Sequence, residues 1–324
     1  MLRHSIAIAS SLGLGLAALV AVACGDSSAN SAFGDGTSGG TSGTSGTSGT
    51  SGTSGFPVGT SGGTSGTSGT SGKSGDGGPE ICDGIDNDGN GIIDDVDVGH
   101  DGICDCLRIA TLGVKGQWGA GNVFAQWLNG KSTAGAVDLA AQTLTPALLG
   151  GYQVIVAQDL SAIGRTYSAA EITALGDWVK AGGGLLTLIG YGDASERANA
   201  NAILATFGMS YAAAPILAKQ GGSTIPVTTW VAHPVTSGIL KIGVDNGYET
   251  QGSGTTVATE QSLKLLQVKE VSSGKVIAWG DEWITYDSEW SAHPDYQVER
   301  FWLNMIKWMT PAKECQVAIP PTVK

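Results

Sequence analysis

Residues 178–193 read WVKAGGGLLTLIGYGD, and the three glycines at 182, 183 and 184 separate two patterns of different period. Before the break, SAAEITALGDWVKAGGG (168–184) is spaced as a helix, with Ser168 as N-cap and Glu171 completing a capping box. After it, GLLTLIGY (184–191) is a short apolar run closed by glycine, as in a strand buried on both faces. Such a strand belongs in a parallel sheet covered by helices.

The surrounding chain repeats the pattern. LRIATLG (107–113) and YQVIVAQD (152–159) read as buried strands, with a helix at NVFAQWLNG (122–130) between them. SERANANAILATFG (195–208) reads as the next helix. TIPVTTWV (224–231), KLLQVKEV (264–271) and KVIAWGDE (275–282) are expected strands separated by glycine-rich turns. The closing helix is YQVERFWLNMIKWM (296–309), with Val298, Phe301, Trp302, Met305 and Trp308 on one face. The order predicts an α/β domain over 106–315, three-layered and flavodoxin-like with a mostly parallel sheet, followed by a tail at 316–324. The last helix should run back against the strands, so that it ends near where they begin.

YQVIVAQD, the glycine turn with its strand, AHPVTSGI (232–239), GKVIAWGDEW (274–283) and the aromatic last helix occur in an order that resembles the class I glutamine amidotransferase-like fold. The resemblance is to the branch that includes ThuA-like and other non-amidotransferase members, and it covers roughly residues 106–312. It implies a nucleophilic cysteine on the elbow after the glycine-led strand. The elbow here is Gly190-Tyr191-Gly192, and a phenol with a pKa near 10 is a poor acyl-transfer nucleophile. The histidine and glutamate that the resemblance implies near the last strand are not matched: Asp281 and Glu282 stand there, with no histidine. The domain is therefore read as non-catalytic.

Asp159, Tyr191, Asp193, Asp281, Glu282 and Trp283 are expected at the carboxyl edge of the sheet, where open α/β sheets bind ligands. WGDEWITYDSEW (279–290) interleaves three tryptophans with acids, a combination that suits sugars, so a glycan-binding face is one expectation. The alternative is a hydrolase acting on a carbohydrate or ester through Asp281 and Glu282, although adjacent strand residues point to opposite faces. His233, before Pro234, is expected to make a structural hydrogen bond.

The formal charge of −12 is not spread evenly along the 324 residues. Residues 80–105 hold nine acids and no Lys or Arg, whereas the following domain is nearly neutral. No basic stripe exists, which argues against a nucleic-acid partner. Within the acidic segment, Asp86, Asp88, Asn90, Gly91, Ile92, Asp94 and Asp97 fall at positions 1, 3, 5, 6, 7, 9 and 12 of a calcium loop. Alternate oxygens serve a hard cation, the glycine permits the sharp turn, and Ile92 contributes only its carbonyl. Asp97 replaces the usual bidentate glutamate, and the stretch resembles EF-hand loops as well as dockerin-like and thrombospondin type 3-like repeats. Pro79 and Gly84 before it, with Gly99 and Gly102 after it, argue against flanking helices. An isolated, structural calcium module over 79–105 is expected.

Residues 1–23 have a basic start, an apolar middle and a small-residue exit, as in a signal peptide. AVAC (21–24) resembles a bacterial lipobox, which makes Cys24 the lipidation site and a membrane lipid layer the first partner. The GTSG repeats that dominate 24–78 have nothing to bury. As a Gly/Ser-type coil they form a tether of roughly 40 Å. Localisation in the cell envelope follows, as an outer-membrane lipoprotein at the surface or in the periplasm, with envelope components or glycans as further partners. In an exported chain Cys82, Cys104, Cys106 and Cys315 imply two disulfides. Of the three pairings, Cys82 with Cys104 would close the calcium loop, and Cys106 with Cys315 would tie the first strand to the end of the last helix.

Overall fold

The computed structural model describes residues 77–113, 122–158, 160, 164–190 and 194–323. The signal peptide, Cys24 and the tether lie outside these residues. The first half alternates strand and helix: β1 (Ile109–Gly113), α1 (Asn122–Asn129), β2 (Ala136–Asp138), α2 (Pro146–Leu149), β3 (Val154–Gln158), α3 (Ala169–Lys180), β4 (Gly184–Thr187) and α4 (Ala194–Ala205). The second half is richer in strands: β5 (Met209–Leu217), β6 (Ile225–Val227), β7 (Thr229–Trp230), β8 (Ile242–Val244), β9 (Gly247–Gly252), β10 (Thr255–Glu260), β11 (Leu263–Val271) and β12 (Gly274–Trp279). Helices α5 (Asp287–Ala292) and α6 (Val298–Met309) close the domain.

Eight strands form one sheet in the order β2-β1-β3-β4-β12-β11-β10-β7. The first five run parallel, and β11, β10 and β7 extend the sheet antiparallel. Alternation along each strand sorts side chains into two cores. Ala110, Leu112, Ile155, Leu185 and Val276 face Leu175 and Val179 of α3 and Ile203 of α4. Ile109, Val154, Val156, Leu186 and Ile277 face Phe124 of α1 and Phe301, Trp302 and Met305 of α6. The result is the expected three-layer, mostly parallel architecture.

The glycine break has a steric cause. Ser168 and Glu171 cap α3 reciprocally, Ser168 Oγ accepting from Glu171 N at 3.3 Å and Glu171 Oε2 accepting from Ser168 N at 3.0 Å. Gly182 then takes a φ of +130°, which L side chains rarely adopt. The indole of Trp178 fills the space a side chain on Gly183 would need, and Met309 does the same at Gly184. Helix α6 therefore ends against the start of β4, as its antiparallel course requires. Lys275, in the adjacent β12, donates to Trp308 O at 2.5 Å and fixes the same end. His233 caps a short 3-10 turn (Pro234–Thr236), its Nδ1 accepting from Val235 N at 3.2 Å.

Helix α6 is buried beyond its expected face, with Leu303, Asn304 and Ile306 also inside. Asn304 reaches the carbonyls of Val235 and Ser237, while Lys307 and Arg300 donate to Val317 O and Pro320 O of the tail. Ile103 and Cys104 of the N-terminal module, with Leu107 just after it, join the same core. That module is joined to the domain at several points. Ile93 pairs with Glu314 in a parallel bridge, Ile93 N donating to Lys313 O at 2.8 Å and Cys315 N to Ile93 O at 2.9 Å. Lys131 meets Asp101 at 2.9 Å.

This docking corrects the expected disulfide pairing. The bonds are Cys82–Cys106 and Cys104–Cys315, not Cys82 with Cys104 and Cys106 with Cys315. The turn closed by Leu107 N donating to Cys104 O reverses the chain between the two cysteines. Cys104 thereby faces the core, beside Asp94 O and the Ile93–Cys315 pairing, and Cys106 is left to meet Cys82.

Candidate functional site

Two regions gather chemistry, the acidic module and the carboxyl edge of the sheet. In the module, Asp86 folds the loop onto itself, accepting from Gly89 N at 2.7 Å and Gly91 N at 2.9 Å. Asp88 accepts from Asn90 N at 2.9 Å, and Asn90 Oδ1 accepts from Ile92 N at 2.8 Å. Asp94 turns the other way, towards Asp83 N and Gly84 N, and Asp97 begins the following turn by accepting from Asp101 N and Gly102 N. Gly91 has a φ of +90°, as the sharp turn requires.

The carboxylates brought closest together are those of Glu80, Asp88 and Asp95, with one oxygen from each within 4.8 Å of the others. Of the six residues expected as ligands, Asp88 is the one in this group. Glu80 lies ahead of the twelve-residue frame and Asp95 stands at its tenth position, which the loop pattern does not give to a ligand, so both escape that reading. Glu80 also spans the loop, accepting from Asp88 N at 2.8 Å and Asp94 N at 3.1 Å. Asn90 Nδ2 donates to both Asp88 Oδ2 and Asp95 Oδ2 at 3.1 Å, a positive dipole lodged between two like charges.

At the carboxyl edge, Asp159, Tyr191 and Asp193 lie outside the described residues. Asp281 and Glu282 follow β12 and are both buried. Asp281 Oδ2 accepts from Asp245 N at 2.6 Å and Oδ1 from Trp283 N at 3.3 Å. Burial pushes its pKa up to about 8, against the lowering effect of those N–H groups. Glu282 Oε1 accepts from the Tyr286 hydroxyl at 2.7 Å. Glu196, at the start of α4, is fully buried with both oxygens near Gly190 N, at 3.0 and 2.9 Å, and so holds the first residue of the elbow.

The three tryptophans of 279–290 are packed inward. Trp279 is fully buried and Trp283 nearly so, while Trp290 is half-buried with Nε1 on Ile284 O at 2.9 Å. Glu196, Tyr286, Gln158 and Glu289 are the edge residues that the sequence did not single out. No spacing rule marks them as a group, since Gln158 ends β3, Glu196 stands near the start of α4, and Tyr286 and Glu289 belong to the first turn of α5.

No known protein family's sequence pattern matches the chain, and no curated protein sequence does. Solved structures similar in fold include the mmIFT52 N-terminal domain, 14% identical, covering 62% of this chain and 100% of that one, with a TM-score of 0.50. Cytoplasmic Protein STM3548 from Salmonella typhimurium is 16% identical, with 63% and 100% of the chains covered and a TM-score of 0.45. A putative thua-like protein from Bacteroides uniformis is 13% identical, with 63% and 91% covered and a TM-score of 0.39. Likeness at these identities concerns the fold alone.

Proposed function

We propose that this chain is an exported cell-envelope lipoprotein, anchored through Cys24, in which a calcium-loaded module is clamped onto a non-catalytic amidotransferase-like domain. That domain serves as a binding or surface-structural unit. What supports the metal is the convergence of Glu80, Asp88 and Asp95 to within 4.8 Å. Oxygens sharing one calcium at about 2.3–2.6 Å lie no more than about 5 Å apart, so three carboxylates already meet that limit. Calcium here would neutralise repelling charges and stiffen the module. The inactive reading of the domain rests on tyrosine at the elbow and on Asp281 being committed to two backbone N–H groups.

Thermal unfolding of the protein in millimolar calcium and in chelator tests the metal. Ligand at about 100 times its Kd stabilises by about 2.7 kcal/mol. At about 2–4 °C per kcal/mol for a domain of this size, the midpoint should rise by roughly 5–10 °C. The double variant Asp88→Asn with Asp95→Asn should lose the rise. Identical melting curves in calcium and chelator would remove the calcium reading.

A further inference from the structure

We propose that a cavity at the amino edge of the sheet holds a small organic anion, a carboxylate with a compact apolar body, between the ammonium groups of Lys275 and Lys307. Glu80, Asp88 and Asp95 take no part in it, so the site goes beyond the reading above and needs no calcium.

The cavity measures about 270 Å3 and lies between the start of β12, the last turns of α6 and the C-terminal tail. Pro234, Trp308 and Ile319 give it apolar walls. Pockets for drug-sized ligands run from about 300 to 1,000 Å3, so its occupant is small. Few donors are left around it. Asn304 spends its amide hydrogens on Val235 O and Ser237 O, and Gln316 Nε2 donates to Thr310 O and Pro311 O. The ammoniums are different, because each carries three hydrogens. Lys275 gives one to Trp308 O and Lys307 one to Val317 O, both at 2.5 Å, and the others remain.

Charge is also left over. Among the described residues neither ammonium makes an ion pair. Glu270, which is exposed, stands opposite Lys275 in the β11–β12 register and so on the same face of the sheet. Yet the ammonium of Lys275 sits at Trp308 O, 5.3 Å from the centre of the Trp308 ring. Burial holds its pKa below the ordinary value, although Glu270 acts to raise it. His233, edge-on to Trp308 at 5.3 Å, is likewise lowered by burial and is mainly neutral at pH 7. The end of α6 supplies about half a negative charge against the two full positive ones. Lysines that served only to cap the helix would overshoot, and an anion between them removes the excess. The apolar walls favour a carboxylate with an apolar body over phosphate, whose oxygens would lie unbonded against Pro234 and Ile319.

Calorimetric titration of the full chain with sodium benzoate tests the assignment, with ionic strength held by sodium chloride. Benzamide serves as the neutral counterpart, and sodium phosphate, in chelator, as the bare anion. Benzoate should bind saturably in the millimolar range or tighter, with amide shifts at Trp308, Ala312 and Gln316, equally in calcium and in chelator. Benzamide and phosphate should each bind about tenfold more weakly. Lys307→Met and Lys275→Met should each weaken benzoate about tenfold, as the loss of a charge-assisted bond requires. Lys180→Met, at an exposed lysine paired with Asp177 at 2.9 Å, should leave it unchanged. If Lys275→Met fails to fold, Lys307→Met and the benzamide comparison decide. Absence of saturable benzoate binding, benzamide or phosphate binding as tightly as benzoate, or full affinity in Lys307→Met overturns the proposal. None of these results alters the calcium-dependent rise in melting temperature, so the two readings fail separately.

Discussion

Asp281 and Glu289 show how an acid can be structural at neutral pH. Glu289 Oε1 accepts from Gly243 N at 2.9 Å and Asp281 Oδ2 from Asp245 N, so the two carboxyls hold the middle of β8 and the residue just after it. Burial pushes each up to about 8, with Asp245 adding to the rise at Asp281 and Asp281 and Asp295 adding to it at Glu289. An unfolded carboxyl titrates near 4, so between about pH 4 and 8 the folded protein holds protons that the unfolded chain has released. Stability is then fully present below the lower value and falls as pH rises towards 8, on the order of 1 kcal/mol per pH unit for each group. Glu171 works the other way. Although burial alone would raise it, the N–H groups of Ser168 and Leu144 and the Arg165 guanidinium lower it, so its contribution is lost as pH falls. Melting temperature should therefore decline from pH 5.5 to 8.5, and Glu289→Gln should flatten the decline; a level profile in the parent would contradict the assignment. The sequence placed Asp281 and Glu282 at the sheet edge from their position after a strand. Their partners were not legible, because Gly243 lies in β8 and Asp245 just after it, and the three residues Ile-Gly-Val carry no pattern of their own.

Among the elements, those with a strong period were readable and the short ones were not. Helix α3 carries its capping box in the text of the chain, and β1, β3, β4 and β12 are short, mainly apolar runs. By contrast β5 is MSYAAAPIL, small residues with mixed exposure pairing outside the main sheet, and β2 is three residues at an edge. Their strand character comes from partners, not from propensity. Packing around the glycine break can be tested at Gly274, the first residue of β12. A methyl group there would run into Val179 O and Gly183 O, backbone atoms held by α3 and the glycine turn. Gly274→Ala should cost about 3 kcal/mol or more in chemical denaturation. Gly99→Ala, whose nearest neighbour would be Asp101 Cβ at 4.0 Å, should stay within about 0.5 kcal/mol. Equal effects at both sites would mean that β12 does not depend on this close approach.

For the molecule as a whole, the composition break at the acidic segment suggested a separate unit, and the bonds across it show a shared one. Nothing in residues 79–105 announces a partner two hundred positions away, because one parallel bridge and one disulfide leave no periodic trace. The crossed cysteine bonds give the protein a mechanical shortcut. A load applied between residue 77 and the C-terminal tail passes from Cys82 to Cys106, back along the chain to Cys104, and through sulfur to Cys315. The acidic loop and the entire α/β body lie off that line of tension. Single-molecule stretching of the oxidised protein should therefore release little hidden length. Reduction should free the 24-residue and 211-residue separations, roughly 80 Å and 700 Å of contour at about 3.5 Å per residue. If the oxidised chain already yields the longer extension, the shortcut does not exist; if it does not, a pull at residue 77 leaves the folded body at rest.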